Sequence, residues 1–210
     1  MKTLQLYFVF FILIGTLLYS CTEDSESRPV FNLEEPDEIS DEEYLIYSLV
    51  IEDYFSGYDQ HLSTSNYIIR QRSWNLSIDI ERASLDYFPE THAIINPEVF
   101  ENFNSKNLNT SLFDTKFQID NKEIMLISTA ELQYIFNDIT AIQLNWENFF
   151  EYYKDSYGII YLTRIGFNNN KTQALFEFVS GSYAAEGRLF YLEKENAEWI
   201  IKDKIHFWAE

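Results

Sequence analysis

Three histidines, His61, His92 and His206, carry the side chains best suited to acid–base or metal chemistry near neutral pH. Histidine is the only residue type whose ordinary pKa lies in that range. A metal site would need two imidazoles at a helical or strand spacing, converging with carboxylates. No pair of these histidines has such a spacing. We therefore expect no metal ion and no cofactor.

Nucleophilic and phosphate chemistry has no recognisable motif in the chain. No serine stands in a Gly-x-Ser-x-Gly turn, and Gly181-Ser182-Tyr183 follows a predicted strand without a helix after it. The six glycines are scattered, so no glycine-rich phosphate loop is present. A glycosidase needs two carboxylates across a cleft, and with 34 acids any chosen pair would be arbitrary. We name no catalytic residue.

The one cysteine, Cys21, follows an N-terminal segment that is typical of an export signal. Lys2 precedes an apolar run from Leu4 to Tyr19. The boundary Leu18-Tyr19-Ser20-Cys21 resembles the lipobox of bacterial lipoproteins, in which the cysteine is acylated and becomes the new N-terminus. We predict a signal peptide over residues 1–20 and lipidation at Cys21. The alternative is an uncleaved anchor, because this run is at the lower limit of bilayer-spanning length.

An acidic segment follows the cysteine. Residues 22–43 contain ten acids, one base (Arg28) and two prolines, a composition that favours an extended, self-repelling spacer. We predict that residues 21–43 form a flexible tether. Thr22-Glu23-Asp24-Ser25-Glu26 resembles the export tag of Bacteroidetes-type lipoproteins. This resemblance implies the cell envelope and the outer membrane, with the outer face favoured.

Composition excludes several function classes. A formal net charge of −19 opposes any surface that tracks phosphates, so we expect no nucleic-acid partner. Hydrophobic residues make up 46% of the chain, which excludes whole-chain disorder. A single cysteine excludes an intramolecular disulfide. The length of 210 residues fits one folded unit, and we place it at residues 44–210.

Helix-capping patterns and β-branched runs predict the elements of the N-terminal half. They are a helix from Ser40 to about Gly57, a strand from Asn66 to Ile80, a helix from Asn96-Pro97-Glu98 to about Lys106, a loop over 107–122, a strand from Ile124 to Ile127, and a helix begun by Ser128 and Glu131.

The C-terminal half predicts one helix and an antiparallel sheet. A single helical stripe runs through Ile142, Trp146, Phe149, Phe150, Tyr153 and Tyr157. Four strand-like runs follow, joined by short connections: Gly158 to Phe167, Thr172 to Val179, Gly187 to Lys194 and Glu198 to Trp208. We predict an α+β fold in which N-terminal helices precede a sheet of about four antiparallel strands, with a helix over about 142–154 packed on one face.

The C-terminal residues also resemble a known family. The resemblance lies in Trp146 with Phe149, Ser156-Tyr157-Gly158, Arg164-Ile165-Gly166-Phe167-Asn168, Thr172-Gln173-Ala174-Leu175, Gly187, Glu198-Trp199-Ile200-Ile201 and Trp208. In this order they look like the C-terminal half of a family of uncharacterised, often exported bacterial proteins. The resemblance implies a fold and no chemistry. Many members have a cysteine pair where this chain has Ser180 to Glu186.

Aromatic residues, 18% of the chain, provide the remaining lead to function. Most of them fall on stripes that we expect to be buried. Trp74, Tyr87, Tyr183 and Trp208 have no assigned buried face and are our candidate ligand-binding residues.

Two functions remain open at this point. The favoured one is a non-enzymatic envelope lipoprotein, anchored to the membrane through Cys21, whose domain binds a protein or a glycan. It predicts an exposed aromatic or apolar patch. The alternative is a small envelope hydrolase with a histidine–carboxylate site, which predicts a cleft that gathers a histidine and at least two acids.

Overall fold

The computed structural model describes residues 28–56, 66–75 and 95–209, without the side chains of residues 207–209. Within these ranges the chain forms four helices and seven strands. In chain order they are α1 (Asp41–Phe55), β1 (Asn66–Arg70), α2 (Pro97–Lys106), β2 (Glu123–Ile127), α3 (Thr129–Ile135), α4 (Ile142–Tyr152), β3 (Ser156–Leu162), β4 (Gly166–Phe167), β5 (Gln173–Gly181), β6 (Ala185–Glu195) and β7 (Glu198–Ala209).

All seven described strands belong to one mixed sheet of order β2-β1-β3-β5-β6-β7, with β4 paired to β5. Strands β2, β1 and β3 are parallel, and Ile68 of β1 aligns with Met125 of β2 and Ile159 of β3. From β3 to β7 the neighbours are antiparallel. The α+β class is therefore right, but the sheet is larger than the four antiparallel strands that we predicted. Parallel pairing joins distant segments and leaves no turn motif to read in the sequence.

Three helices begin where capping residues predicted them. The capping side chains are Ser40, Asn96 and Ser128, which accept hydrogen bonds from the backbone N–H groups of Glu43, Glu98 and Glu131. Each bond satisfies one of the free donors in a first helical turn. These predicted starts are confirmed, as is the end of α2 at Lys106.

Two predicted ends differ from the structure. Helix α1 ends at Phe55, with Ser56 as its C-terminal cap, slightly before the expected Gly57. The predicted strand from residue 66 to 80 ends as a strand at Arg70, and residues 71–75 are irregular apart from a bridge between Arg72 and Leu112. Residues 76–80 lie outside the described part of the chain.

The main core lies between α1, α2 and one face of the sheet. Tyr47 of α1 is fully buried and meets Phe113 and Phe176 edge-on, with ring centroids 5.4 and 5.3 Å apart. Its hydroxyl donates to the carbonyl oxygen of Thr163 at 2.8 Å. Large aromatic side chains of this kind supply much of the apolar surface that a small domain buries.

A second core lies on the opposite face of the sheet, over the parallel strands. Ile68 and Ile159 of the sheet pack there against Ile135 of α3 and Phe149 of α4. Helix α4 therefore does pack on one sheet face, as predicted for about 142–154. The predicted stripe continues only to the end of the helix, because Tyr157 lies in β3 and contributes to the main core.

The acidic segment before α1 makes specific contacts with the folded body. The side-chain amide of Gln71 accepts a hydrogen bond from the backbone N–H of Glu34 at 2.9 Å and donates one to the backbone carbonyl oxygen of Glu34 at 2.7 Å. The backbone of Asp37 donates to the carbonyl oxygen of Leu112, and the side chain of Ile39 is buried. The predicted tether over 21–43 thus differs from the structure in its second half, because these backbone groups and Ile39 find partners. Among the described residues, no helix has the length and apolar character needed to cross a bilayer.

Candidate functional site

An aromatic cluster joins α4 to the turn between β5 and β6. Trp146 and Phe150 lie one turn apart on α4, with ring centroids 5.9 Å apart. Tyr183, in the turn, lies 6.3 Å from Trp146 and 6.2 Å from Phe150 between centroids. These separations are typical of aromatic pairs in contact. The three rings form one continuous apolar surface.

The register of α4 places this cluster at the edge of the second core. Asn145 and Phe149 are buried beneath the helix, whereas Trp146 and Phe150 are half-buried on its flank. Phe136, just after α3, supports Trp146 from below in an edge-on contact at 4.8 Å. The inner sides of the rings are therefore fixed by the core, and their outer sides remain accessible.

A close approach between two glycines positions the turn that carries Tyr183. Gly158 of β3 has a φ of 123°, and a Cβ at this position would lie 2.2 Å from the carbonyl oxygen of Gly181. Only glycine fits such a contact and such a backbone angle. Ser182 then donates its N–H to the carbonyl oxygen of Ala184 at 2.9 Å, which closes the turn. Tyr183 is held above α4 and is 59% exposed.

Exposed aliphatic side chains extend the apolar surface beyond the rings. Ile142 is 61% exposed and precedes Trp146 by one helical turn, so the two side chains share a face of α4. Ile139, in the connection before α4, is 86% exposed. We call Ile142, Trp146, Phe150 and Tyr183 the α4 surface. Clustered apolar side chains of this size at a surface mark a site of interaction more often than scattered ones do.

The charges beside the α4 surface are negative. Helix α4 carries two acids, Glu147 and Glu151, and no base, and both acids are exposed. Asp138, before the helix, accepts hydrogen bonds from the hydroxyl and the N–H of Thr140, and these bonds lower the pKa of its carboxyl group. These acidic side chains favour a partner with basic residues at its rim.

The structure places the four candidate ligand-binding residues differently. Tyr183 lies in the α4 surface. Trp74 is half-buried and meets Tyr161 edge-on at 5.2 Å, and its backbone donates to the carbonyl oxygen of Leu162, at the opposite end of β3 from the Tyr183 turn. The two residues therefore do not share a site. Tyr87, the side chain of Trp208 and the predicted lipidation site Cys21 lie outside the described residues.

The histidine–carboxylate alternative can be examined at one position. His206 is exposed, and its Nε2 lies 3.7 Å from Oε2 of Glu186. Burial alone would raise the pKa of Glu186, but hydrogen bonds from Tyr54 and Arg188 outweigh it and lower the pKa. The carboxylate of Glu186 thus accepts hydrogen bonds and pairs with a cation, which does not suit the role of a general base. His61 and His92 fall outside the described residues. Within the part of the chain that is described, no group of three or more acids, histidines or cysteines could hold a metal ion.

Trp146 and Phe150 were missed as site residues because the sequence analysis assigned them to a buried stripe. A signal for their position was present. Phe149 and Phe150 lie about 100° apart around a helix, which is the full width of an ordinary buried face, so at least one of the two lies at the border of the stripe.

Comparison with known proteins gives no relative: no family model, no curated protein and no solved structure matches the chain. The function therefore has to be inferred from the geometry of the described residues.

Proposed function

We propose that this chain is a membrane-anchored envelope lipoprotein whose folded domain binds a protein partner through the α4 surface and has no catalytic role. The observation that carries the proposal is the contact of Tyr183 with Trp146 and Phe150, which builds an exposed apolar surface from two separate elements. Aromatic side chains in such positions dominate the energetics of protein interfaces.

The aliphatic residues favour a protein over a glycan as the ligand. Sugars stack on flat aromatic rings and otherwise need polar partners, whereas Ile139 and Ile142 offer only apolar contact. An apolar centre with an acidic rim matches the usual anatomy of a protein interface. We infer a partner with an apolar protrusion bordered by lysine or arginine residues.

The anchor and the location remain proposals from the sequence. An acylated Cys21 would hold the domain at the membrane, and the acidic residues between Cys21 and Phe31 would separate it from the lipid surface. A partner in the same membrane or at the cell surface would then meet the α4 surface at high local concentration.

Site-specific photo-crosslinking tests the proposal. A photo-reactive phenylalanine analogue is placed at Gln143, an exposed residue of α4, in the full-length lipoprotein in its native cells. The matched control carries the same group at Leu108, which is 74% exposed and follows α2. We expect a discrete crosslinked protein from position 143 and none from position 108.

Affinity measurements with the identified partner complete the test. Tyr183→Ser and Ile142→Asp should each weaken binding about tenfold or more, and Leu108→Asp should leave it unchanged. Glu147→Lys should slow association with a basic partner. Undiminished binding by Tyr183→Ser and Ile142→Asp would overturn the proposal. A crosslinked species that carries the label on a polysaccharide would replace the protein partner by a glycan.

A further inference from the structure

A cluster of unused hydrogen-bond donors lies at the carboxyl end of the parallel strands, away from the α4 surface. Arg70 is the last residue of β1, and Tyr161 is the last but one of β3. The guanidinium of Arg70 lies over the ring of Tyr161, with 5.8 Å between its Cζ atom and the ring centroid. The ring of Trp74 meets that of Tyr161 edge-on, with 5.2 Å between centroids. We call Arg70, Trp74 and Tyr161 the Arg70 cluster.

The alternation of side chains along the strands explains why Arg70 and Tyr161 meet. Ile68 and Ile159, two residues earlier on β1 and β3, are buried in the second core. Side chains two residues apart on a strand point to the same face, so Arg70 and Tyr161 continue this face beyond the buried isoleucines. All three side chains of the Arg70 cluster are half-buried, and each keeps part of its surface accessible.

The polar groups of the Arg70 cluster have no acceptor among the described residues. These groups are the guanidinium of Arg70, the indole N–H of Trp74 and the hydroxyl of Tyr161. The Nε atom of Arg70 is also buried from water. Buried donors are nearly always paired in proteins, because an unpaired donor costs free energy. Three unused donors in mutual contact therefore indicate an acceptor that a ligand supplies.

The charge of Arg70 is not balanced within the described part of the chain. The neighbouring Arg72 donates to both carboxylate oxygens of Glu34, at 2.9 and 2.8 Å, so these two charges compensate each other. Arg70 forms no ion pair with a described carboxylate. Burial lowers the pKa of its guanidinium, which still remains protonated at neutral pH. One uncompensated positive charge therefore lies at the carboxyl end of β1.

The topology of the sheet provides an independent argument for a site at this place. Strands β1 and β3 are parallel neighbours. The next described strand after β1 is β2, which lies on one side of this pair, whereas β4 and β5 follow β3 and lie on its other side. In open sheets of parallel strands, ligands bind outside the carboxyl ends of two neighbours whose connections diverge in this way. The Arg70 cluster occupies that position.

We infer that the Arg70 cluster binds a small organic molecule with one carboxylate group and an apolar or aromatic body. The planar guanidinium matches the two oxygens of a carboxylate. The rings of Trp74 and Tyr161 offer apolar contact to the body of the molecule, and their N–H and O–H groups can donate to the same carboxylate. One free positive charge favours a carboxylate over a phosphate, because a second negative charge would be unbalanced in a chain with a net charge of −19.

Saturation-transfer NMR on the full-length lipoprotein, in a deuterated non-ionic detergent, tests the inference with phenylacetate as the probe. Phenylacetamide, which keeps the ring and loses the charge, is the matched control ligand. We expect saturable binding of phenylacetate and an affinity for phenylacetamide that is lower by about tenfold or more. The inference would be overturned by the absence of saturable binding, by equal affinities for the two probes, or by inorganic phosphate displacing phenylacetate at a lower concentration than its own dissociation constant.

Variants of the Arg70 cluster test the location of the site. Arg70→Gln removes the charge and should weaken phenylacetate binding about tenfold or more. Tyr161→Phe and Trp74→Phe each keep an aromatic ring and lose one donor, and each should weaken binding about three- to tenfold. Lys154→Gln, at an exposed lysine between α4 and β3, and Tyr183→Ser should leave the affinity unchanged. Equal losses in Lys154→Gln and Arg70→Gln would show that only overall charge matters and would overturn the site, as would unchanged affinity in both phenylalanine variants.

Discussion

Arg164 donates from Nε and Nη2 to the two carboxylate oxygens of Glu43, which lies 121 residues earlier in the chain. The carboxylate is 3% exposed and the guanidinium 13% exposed, so water contributes little to the stability of either charge. This bidentate pair joins the first turn of α1 to the connection between β3 and β4. It fixes α1 against the sheet.

Removal of Arg164 should strongly destabilise the fold. Arg164→Met leaves the Glu43 carboxylate buried with the hydroxyl of Ser40 and the more distant Lys106 as its remaining partners, and we expect a loss of about 3–5 kcal/mol in the free energy of unfolding. Lys116→Met, at the exposed pair with Asp41, should cost less than about 1 kcal/mol. Urea denaturation measures both. A loss at Arg164 no larger than that at Lys116 would contradict this account.

The same pair should make stability depend on pH. Burial would raise the pKa of Glu43, but the hydrogen bonds from Arg164 and the charge of Lys106 outweigh it, so the pKa is lowered in the folded state. The stabilisation is then complete above the unfolded-state pKa of about 4.3 and is lost as pH falls through the lower folded-state value. Unfolding free energies at pH 7, 5, 4 and 3 should fall more steeply below pH 5 in the wild type than in Glu43→Gln. Parallel curves would show that other carboxyl groups cause the decline.

The contact between Gly158 and Gly181 should not tolerate a side chain. Gly158→Ala adds a Cβ that would clash with the carbonyl oxygen of Gly181 and forces alanine to a φ of 123°. We expect a loss of more than about 1 kcal/mol in the free energy of unfolding. Ala184→Ser, at an exposed residue of the nearby turn, should change it by less than about 0.5 kcal/mol. An unchanged melting temperature for Gly158→Ala would contradict the close contact between Gly158 and the carbonyl oxygen of Gly181.

Substitution of a buried aromatic residue and of an exposed one should differ in their effect on the free energy of unfolding. Phe149 is fully buried in the second core, and Phe149→Ala should cost about 3–5 kcal/mol in the free energy of unfolding. Tyr183→Ser removes an exposed ring and should cost less than about 1 kcal/mol. Thermal denaturation of both variants provides the comparison. If Tyr183→Ser were as damaging as Phe149→Ala, the cluster would be a core element and not a surface for binding.

Lipidation at Cys21 has a direct test. Metabolic labelling with a fatty-acid analogue should mark the wild-type protein and leave Cys21→Ala unlabelled, because the thioether forms only at that sulfur. The Cys21→Ala protein should also be lost from the membrane fraction when the membranes are washed. Tyr183→Ser serves as the control and should remain labelled. A labelled Cys21→Ala protein would require another anchor.

Local sequence signals predicted most helix starts, because a capping side chain acts within three residues of its own position. Ser40, Asn96 and Ser128 each bond to a backbone N–H two or three residues later, so the signal and the structure lie in the same short window. The antiparallel strands β5, β6 and β7 were likewise readable, since short connections join them.

Long-range relationships could not be read in the same way. The pairing of β1 with β2 and β3 depends on segments far apart in the chain. Of the α4 surface, the sequence singled out Tyr183, because it falls on no predicted buried face. Its contact with Trp146 and Phe150 depends on the packing of α4 over the sheet, which the helical stripe alone does not specify.

The position of β1 inside the sheet has a consequence for biogenesis. Asn66 aligns with Glu123 on one side and with Ser156 on the other, so this strand has no partner until most of the chain has been synthesised. Such a topology folds late and slowly compared with one built from local contacts. In the exported lipoprotein that we propose, this delay would keep the chain extended until it has crossed the translocation channel.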